Sequence, residues 1–279
     1  MAPNLISGKL LGAKTLVLDR VQSSRRPDLP PLFANSMPKA GTHLQERMFD
    51  LLGYRLSSIL ELGPSSGQDA LDPGEVALVA KRLGRLRPGC SIRAHAFHFP
   101  ELQRHIDGNG VKAITIVRDP RDVCVSDAFY VARTPGHRLH AHYRGLDEGG
   151  RIMASIVGVE SGALDGAAAS LGIAEHYARF LPWLERGPGI VVRFEDLVGP
   201  RGAGSDEAQQ TALGSIVEYL GLDLGAAEIE RVRGDIFWEG SSTFRKGQIG
   251  SWSDHFTADH IGAFEASFGD LLGSFGYGS

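Results

Sequence analysis

A short apolar segment, a glycine-containing turn and an amphipathic helix follow one another in residues 32–53. Residues 32–34 have the length and apolarity of a buried strand, and the turn covers residues 38–41. From Thr42 onward, leucines and a methionine recur on one face of a helix, which Gly53 ends. The segment therefore predicts a strand, a loop and a helix, with free backbone N–H groups at the helix N-terminus.

Apolar strands alternate with helical periodicities along the rest of the chain. Further strands are predicted at 92–95, 113–117 and 190–194, and further helices at 76–86, 173–184, 212–220 and 226–232. This alternation favours a mainly parallel sheet flanked by helices on both faces. We predict a single α/β domain over residues 32–279, after an N-terminal lead-in at 1–31 whose residues 21–31 are polar. Residues 145–172, rich in Gly, Ala and Ser, are expected to form a mobile cover with at most one short helix.

The composition excludes several classes of protein. A net charge of -4 argues against broad nucleic-acid binding, which needs an excess of Lys and Arg. Two cysteines, Cys90 and Cys124, lie outside any metal-ligand spacing, so neither a disulfide framework nor a zinc site is expected. The N-terminal apolar run is interrupted by Lys14, and no run approaches a membrane span. We expect a reduced, cytoplasmic protein with no stable membrane anchor.

The turn at residues 38–43, with the sequence Pro-Lys-Ala-Gly-Thr-His, gives the first signal for chemistry. The N–H groups of a helix N-terminus, the positive end of the helix dipole and Lys39 together make a site for a phosphate or sulfate oxyanion. The Gly-x-x-x-x-Gly-Lys-Ser/Thr order of a Walker A loop is missing. An ordinary strand-to-helix turn with an exposed lysine fits the same residues.

Arg118 and Ser126 give the second signal. Arg118 directly follows the strand at 113–117, and Asp119 is a good N-cap for the helix that carries Ser126. The arginine can meet a phosphate with two parallel hydrogen bonds, and the serine hydroxyl can add a third. Pairing of the arginines with Asp119 and Asp122 in a surface network is the open alternative.

A basic pair bounded by glycines gives the third signal, within residues 243–252. Arg245 and Lys246 precede Gly247, and Gly250 follows. A loop of this kind can close its backbone and side chains over an anion. A solvated C-terminal loop fits the residues equally well.

Together, the three segments resemble the cytosolic-type sulfotransferase family, which uses 3'-phosphoadenosine 5'-phosphosulfate (PAPS). The family motifs are PKSGTTW, RDPRDVAVS and RKGxxGDWKNHFT. This chain has PKAGTH at 38–43, RDPRDVCVS at 118–126 and RKGQIGSWSDHFT at 245–257. RFEDL at 193–197 is similar to the family's RYEDL. The resemblance spans residues 32–257 and implies a P-loop-like fold and transfer of a sulfuryl group from PAPS.

The resemblance also implies a role for each matching position. The residues implied at the site of PAPS and its product PAP are Lys39, Ala40, Gly41, Thr42, His43, Arg118, Ser126, Phe194, Arg245, Lys246 and Gly247. Lys39 matches the lysine that stabilises the leaving phosphate, and residues 41–43 match the loop that binds the 5'-phosphate. Arg118, Ser126 and residues 245–247 match the ligands of the 3'-phosphate.

Three positions depart from the family pattern. Ala40 lacks the usual serine hydroxyl, Leu44 replaces a tryptophan that stacks on adenine, and Phe194 lacks a tyrosine hydroxyl. These changes affect adenine recognition more than phosphate binding. Phe237 or Trp238 could supply a stacking face, although two aromatics beside a helix end are expected in the core.

The resemblance places the general base at the end of the strand at 92–95. Arg93-Ala94-His95 is similar to the family's Lys-Thr-His, so His95 would take the proton of the acceptor hydroxyl. Arg93 would hold the sulfuryl oxygens. His98 is the competing base, and a merely hydrogen-bonded histidine fits the same pattern.

The sequence leaves the acceptor and some alternatives open. The acceptor is a small-molecule, lipid or carbohydrate hydroxyl, and the oligomeric state is not predicted. The arrangement requires no metal, although three histidines within residues 137–142 also suggest a metal site, a basic acceptor-binding loop or a solvated segment. A P-loop nucleotide or metabolite kinase should show Gly-Lys-Ser/Thr, which is absent. A non-catalytic nucleotide-binding scaffold is disfavoured by intact Lys39 and His95.

Overall fold

A computed structural model of the chain describes residues 6–9, 14–17, 26–63, 69–163, 169–238, 240 and 247–278. The strands in these ranges are β1 Ile6–Lys9, β2 Lys14–Val17, β3 Leu32–Ser36, β4 Arg55–Leu62, β5 Cys90–Ala96, β6 Lys112–Val117 and β7 Ile190–Arg193. They form one sheet in the order β1-β2-β4-β5-β3-β6-β7. The five strands from β4 to β7 in this order are parallel, and β1 and β2 add an antiparallel edge.

Helices flank the sheet on both sides. They are α1 Thr42–Leu52, α2 Pro73–Leu83, α3 Pro100–Gly108, α4 Pro120–Arg133, α5 His140–Gly145, α6 Glu148–Val157, α7 Ile173–Glu185, α8 Phe194–Leu197, α9 Asp206–Leu220, α10 Ala226–Ile236, α11 Ala258–Phe268 and α12 Leu271–Ser274. No helix in the described ranges is long and apolar enough to cross a membrane. The predicted α/β class and mainly parallel sheet are confirmed.

The core lies in two layers because neighbouring residues of a strand point to opposite faces of the sheet. In β3, Phe33 belongs to one buried cluster, which includes residues of α2, α3 and α7. Leu32 and Ala34 belong to the other, which includes residues of α1, α9 and α10. The central strands are thus buried on both faces, as their unbroken apolar runs predict.

The predicted strand, loop and helix at 32–53 is confirmed as β3 and α1. Gly53 ends α1 in a left-handed conformation with φ 100°, and its N–H group donates to the carbonyls of Asp50 and Phe49. Asp119 also caps α4 as predicted, because its side chain accepts from the N–H of Arg121.

The short helix expected within the cover at 145–172 is present as α6, which is 10 residues long, and the mobility of the segment stays a prediction. Residues 148–157 form α6, whose N-terminus is capped by Asp147 through the N–H of Gly150. Ile152 and Ile156 are fully buried on its inner face. The proposed boundary between residues 31 and 32 stays a prediction, with β1 and β2 hydrogen-bonded into the sheet of the main domain.

Two buried polar side chains fix the carboxyl ends of the central strands. The Asn35 side chain accepts from the N–H of Ala96 and donates to the carbonyl of the same residue, at 3.0 and 3.2 Å. Gln45 of α1 donates to the carbonyls of Asn35 and Ile114, each at 3.1 Å. These bonds hold α1, β5 and β6 against the end of β3, where the loops that form the site begin.

Candidate active site

A cavity of about 580 Å³ lies at the carboxyl ends of the central strands. The predicted site residues that line it are Lys39, Gly41, Thr42, His43, His95, Arg118, Ser126, Phe194 and Gly247. Ala40 is fully buried and is not part of the lining. Arg245 and Lys246 lie outside the described residues.

The turn before α1 has a backbone suited to an anion. Lys39 has φ 67° and Gly41 has φ 111°, both in the left-handed region that side chains disfavour. A Cβ on Gly41 would lie 2.6 Å from a ring carbon of Phe194, so glycine is required there. Gly41 is the N-cap of α1 and supplies no side-chain cap, so the first N–H groups of α1 keep their donor capacity.

Lys39 is held inside the cavity. Its ammonium lies 3.7 Å from the ring centre of Tyr130. Burial lowers the pKa of Lys39 to about 8, while the nearby charge of Asp127 opposes this and Arg118 adds to it. The side chain is therefore a desolvated cation at neutral pH.

His95 is held in one tautomer at the end of β5. Its Nδ1 lies 2.8 Å from the carbonyl oxygen of Ser36 and 3.2 Å from the hydroxyl of the same residue. Because a carbonyl only accepts, Nδ1 of the neutral ring carries the hydrogen and Nε2 carries the lone pair. Burial lowers the pKa of His95, and the hydrogen bond to Ser36 opposes this. The ring is therefore neutral at pH 7, with a basic nitrogen.

Arg118 lies buried at the end of β6. One of its terminal nitrogens donates to the carbonyl of Gln248 at 2.7 Å, and its guanidinium lies 4.3 Å from the ring centre of Phe194. Its Nε is buried and has no hydrogen-bond partner among the described residues. A buried donor without an acceptor is costly, which favours an anion at this point.

Asp122, for which a surface network was the open alternative, is fully buried and anchors the C-terminal loop. It accepts hydrogen bonds from the N–H groups of Gly250 and Trp252, both at 2.9 Å, and from the hydroxyl of Ser251 at 3.1 Å. Arg118 also lies 3.4 Å from it. The other expected pair does form, between Arg121 and Asp119 at 2.7 Å.

The expectation that both Phe237 and Trp238 lie in the core is half wrong. Both line the cavity, but Phe237 is 7% exposed and Trp238 is 54% exposed. An exposed aromatic ring at a cavity wall is a stacking surface for a planar base. The sequence alone could not separate the two neighbours, because an aromatic pair after a helix has no periodicity.

His98, the competing base, and Arg93, the expected ligand of the sulfuryl oxygens, both have other partners in the structure. His98 does not line the cavity, and its Nε2 lies 2.7 Å from the side-chain oxygen of Gln103. Arg93 lines the cavity but is paired with Glu46 at 2.7 Å. Two of the histidines at 137–142 bond to backbone groups, since His137 accepts from the N–H of Leu139 and Nδ1 of His140 lies 3.0 Å from the carbonyl oxygen of Val131. No cluster of His, Cys, Asp and Glu in the described ranges could hold a metal ion.

Asp127 is a carboxylate of the cavity lining that the sequence analysis did not identify. It follows Ser126 in α4 and accepts a hydrogen bond from the hydroxyl of Ser155 at 3.2 Å. Burial raises the pKa of Asp127, and the charge of Lys39 opposes this. Nothing in the sequence of α4 distinguishes a carboxylate that faces a cavity from one that faces solvent.

Comparison with known proteins finds sulfotransferases among the similar sequences. No protein-family model matches the chain. Mouse sulfotransferase 2A1 is 24% identical over 189 residues, which cover 59% of this chain and 57% of that protein. Mouse sulfotransferase 2A6 is 26% identical over 184 residues, with the same coverage. The chain thus matches little more than half the length of these curated relatives.

Solved structures show the same architecture. Mouse sulfotransferase SULT7A1 in complex with PAP covers 87% of this chain and 84% of its own, with a TM-score of 0.55 and 17% identity. Retinol dehydratase in complex with retinol and PAP covers 88% and 82%, with a TM-score of 0.51 and 17% identity. The chain has the sulfotransferase fold. Both curated relatives are sulfotransferases, the family that the sequence motifs resemble.

Proposed function

We propose that this protein is an enzyme that transfers a sulfuryl group from PAPS to a hydroxyl group of a second substrate. The observation that carries the proposal is that Lys39 and His95 face one cavity with Arg118, Ser126 and the N-terminus of α1. The PAP complexes of the neighbouring structures support PAPS as the donor. Anion donors and a basic nitrogen then meet at the carboxyl ends of the strands, as transfer of an anionic group requires.

His95 acts in this proposal as the general base. The acceptor oxygen forms a bond to sulfur while the bond between sulfur and the bridging oxygen breaks, and PAP leaves with that electron pair. The proton of the acceptor hydroxyl passes to Nε2 of His95, which carries the lone pair because Nδ1 donates to Ser36. General base catalysis of this kind contributes about 10²–10⁴ in rate.

Lys39 stabilises the leaving group. Its ammonium is desolvated, so its attraction to charge that develops on the bridging oxygen is stronger than it would be in water. Cationic charge from Lys39, Arg118 and the N-terminus of α1 takes the part that a metal plays in kinases. The proposal therefore includes no metal.

The other end of the cavity binds the nucleotide. The first N–H groups of α1, at Thr42 and His43, face the 5'-phosphate, and Arg118 and Ser126 face the 3'-phosphate. Trp238 stacks on adenine, because Leu44 stands where the family has a stacking tryptophan. The unpartnered Nε of Arg118 supports this assignment.

Binding of the product nucleotide tests the donor assignment. PAP should bind the purified chain at least about tenfold more tightly than adenosine 5'-phosphate, since charge-assisted hydrogen bonds of about 1.5–3 kcal/mol each go to the 3'-phosphate. Titration calorimetry measures both affinities. Equal affinities would refute the assignment.

A pair of serine variants refines the same measurement. Ser126→Ala removes one donor to the 3'-phosphate, so it should reduce the ratio of PAP to adenosine 5'-phosphate affinity by about threefold to tenfold. Ser215→Ala, on the exposed side of α9, should leave the ratio unchanged. A ratio that falls equally in both variants would contradict a specific role for Ser126.

A further inference from the structure

One end of the cavity is lined by side chains from α4 to α7 and from the loops between these helices. Asp127 and Ser155 come from α4 and α6, Tyr143 from α5 and His176 from α7. Apolar side chains, such as Leu139, Leu171 and Ile173, line the cavity as well. The polar groups are therefore few, as in small-molecule sites where such groups fix the orientation of the ligand.

A chain of hydroxyl groups ends on the Asp127 carboxylate. Ser155 donates to Asp127 at 3.2 Å, and the hydroxyl of Tyr143 lies 3.2 Å from the same serine oxygen. Because the serine hydrogen is used toward the carboxylate, the tyrosine donates to the serine. Among the described residues, this is the one hydrogen bond that Asp127 accepts, although a carboxylate has about four acceptor positions. The carboxylate keeps acceptor capacity inside the cavity.

His176 adds a neutral polar group to the same end. Burial lowers its pKa to about 4, so the ring is uncharged at neutral pH. Its Nδ1 is buried and has no hydrogen-bond partner among the described residues. The imidazole packs against the ring of Phe97. His176 and His95 line the same cavity.

The Asp127 carboxylate already has two cationic neighbours. Lys39 and Arg138 both act on the Asp127 carboxylate and lower its pKa against the effect of burial. An acceptor that brings a positive charge is not needed. What the carboxylate lacks is a hydrogen-bond donor, because an apolar ligand would desolvate it without a partner, and that loss is costly.

We propose that this end binds a polyhydroxylated acceptor of the sugar or cyclitol type. One hydroxyl faces Nε2 of His95 and receives the sulfuryl group, and a neighbouring hydroxyl donates to Asp127. The inference rests on the proposed function, since it assigns the acceptor of that reaction. A site built to bind a second hydroxyl discriminates strongly against ligands that lack one.

An acceptor panel with labelled PAPS tests the assignment on the full chain. The polyols are glucose, N-acetylglucosamine, trehalose and myo-inositol, and the monohydroxy compounds are 4-nitrophenol and a sterol. At least one polyol should be sulfated with kcat/KM about tenfold or more above either monohydroxy compound. A monohydroxy compound that exceeds every polyol overturns the inference, as does a protein that binds PAP and sulfates no polyol. Absence of PAP binding would instead refute the proposed function.

The Asp127→Asn variant tests the contact itself. With the best polyol, KM should rise and kcat/KM should fall about tenfold or more, because the amide carries no charge to receive the hydroxyl. Glu160→Gln removes an exposed carboxylate in the loop after α6 and should leave kcat/KM within about twofold. Equal kinetics of the two variants overturns the contact. A fall in kcat at constant KM also overturns it, since that result would mean that Asp127 acts on the charge of Lys39 and does not bind the acceptor.

Discussion

His95 and Lys39 both lie where burial disfavours their charged forms, with opposite consequences for the proposed reaction. Burial lowers the pKa of His95 below its ordinary value, so the base is already unprotonated at pH 7. Burial also lowers the pKa of Lys39 to about 8, so the ammonium persists at pH 7 and is lost at higher pH. One residue works without its proton and the other works with it.

The proposed reaction should therefore have a bell-shaped dependence on pH. The fraction of neutral His95 increases as pH rises through its lowered pKa, so the acid limb lies below about pH 6.5. The fraction of charged Lys39 decreases as pH rises through about 8, which gives the basic limb. Measurement of kcat/KM for the donor between about pH 4.5 and 9.5 reports both groups in the free protein.

Variants of His95 and Lys39 test which residue causes each limb of the pH profile. His95→Ala should lower the rate by about 10²–10⁴ and abolish the acid limb, with PAP affinity nearly unchanged. Lys39→Arg keeps its positive charge throughout this pH range, so the basic limb should disappear. An acid limb that survives in His95→Ala and vanishes in His98→Ala would show that the base was chosen wrongly.

Sequence reasoning found the cavity residues at strand ends and helix starts better than those inside helices. The positions of Lys39, Gly41 and Arg118 on one cavity could be predicted because strand ends and helix starts leave motifs in the sequence. Asp127 and Tyr130 lie within α4, where nothing in the helix sequence tells which side chains face a cavity. That depends on the packing of α5 and α6 over α4, which is a tertiary property.

Elements with unbroken apolar runs or regular periodicity were the predictable ones. β6 and α1 were found because every strand residue from Ala113 to Val117 is buried and α1 has one apolar face. β4 was missed because its residues alternate between partly exposed and buried and include Arg55, Ser57 and Glu61. The bounds of α6 were not predicted because two glycines lie in its first turn, although Ile152 and Ile156 are buried on its inner face.

At the scale of one element, Asp122 of α4 should control the order of the C-terminal loop. Asp122→Asn removes the charge that three donors share, so the free energy of unfolding should fall by about 1.5–3 kcal/mol. PAP affinity should fall about tenfold, because Arg118 loses a partner that orients it. Urea unfolding and calorimetry measure the two effects.

Amide hydrogen exchange localises the effect of this substitution. The N–H groups of Gly250 and Trp252 should exchange faster in Asp122→Asn, because their acceptor is weakened. Asp259→Asn, at an exposed position in α11, should leave both amides protected. Exchange that is unchanged in Asp122→Asn would mean that other contacts hold the loop.

At the scale of the whole molecule, the cavity joins elements that pack on opposite faces of the sheet. α1 belongs to one buried layer and α7 to the other, and both contribute to the lining. β3 lies between β5 and β6. After β3 the chain adds β4 and β5 on one side of it, and then crosses to add β6 on the other side. Sites in parallel sheets form at such switch points. The alternation of elements predicts a parallel sheet, but strand order depends on packing that no local pattern records.

Because its site spans both layers, the protein should be stabilised as a unit by the product nucleotide. PAP at about one hundred times its Kd should add about 2.7 kcal/mol to the free energy of unfolding, if it binds only the folded chain. For a domain of this size, that gain corresponds to a rise in Tm of about 5–10 °C. Scanning calorimetry with and without PAP measures it.

Adenosine 5'-phosphate at the same concentration should give a smaller rise in Tm. Arg118→Met should reduce the PAP effect toward that value, since both changes remove the contact with the 3'-phosphate. Equal shifts from the two nucleotides in the unsubstituted protein would mean that Arg118 and Ser126 do not bind the 3'-phosphate.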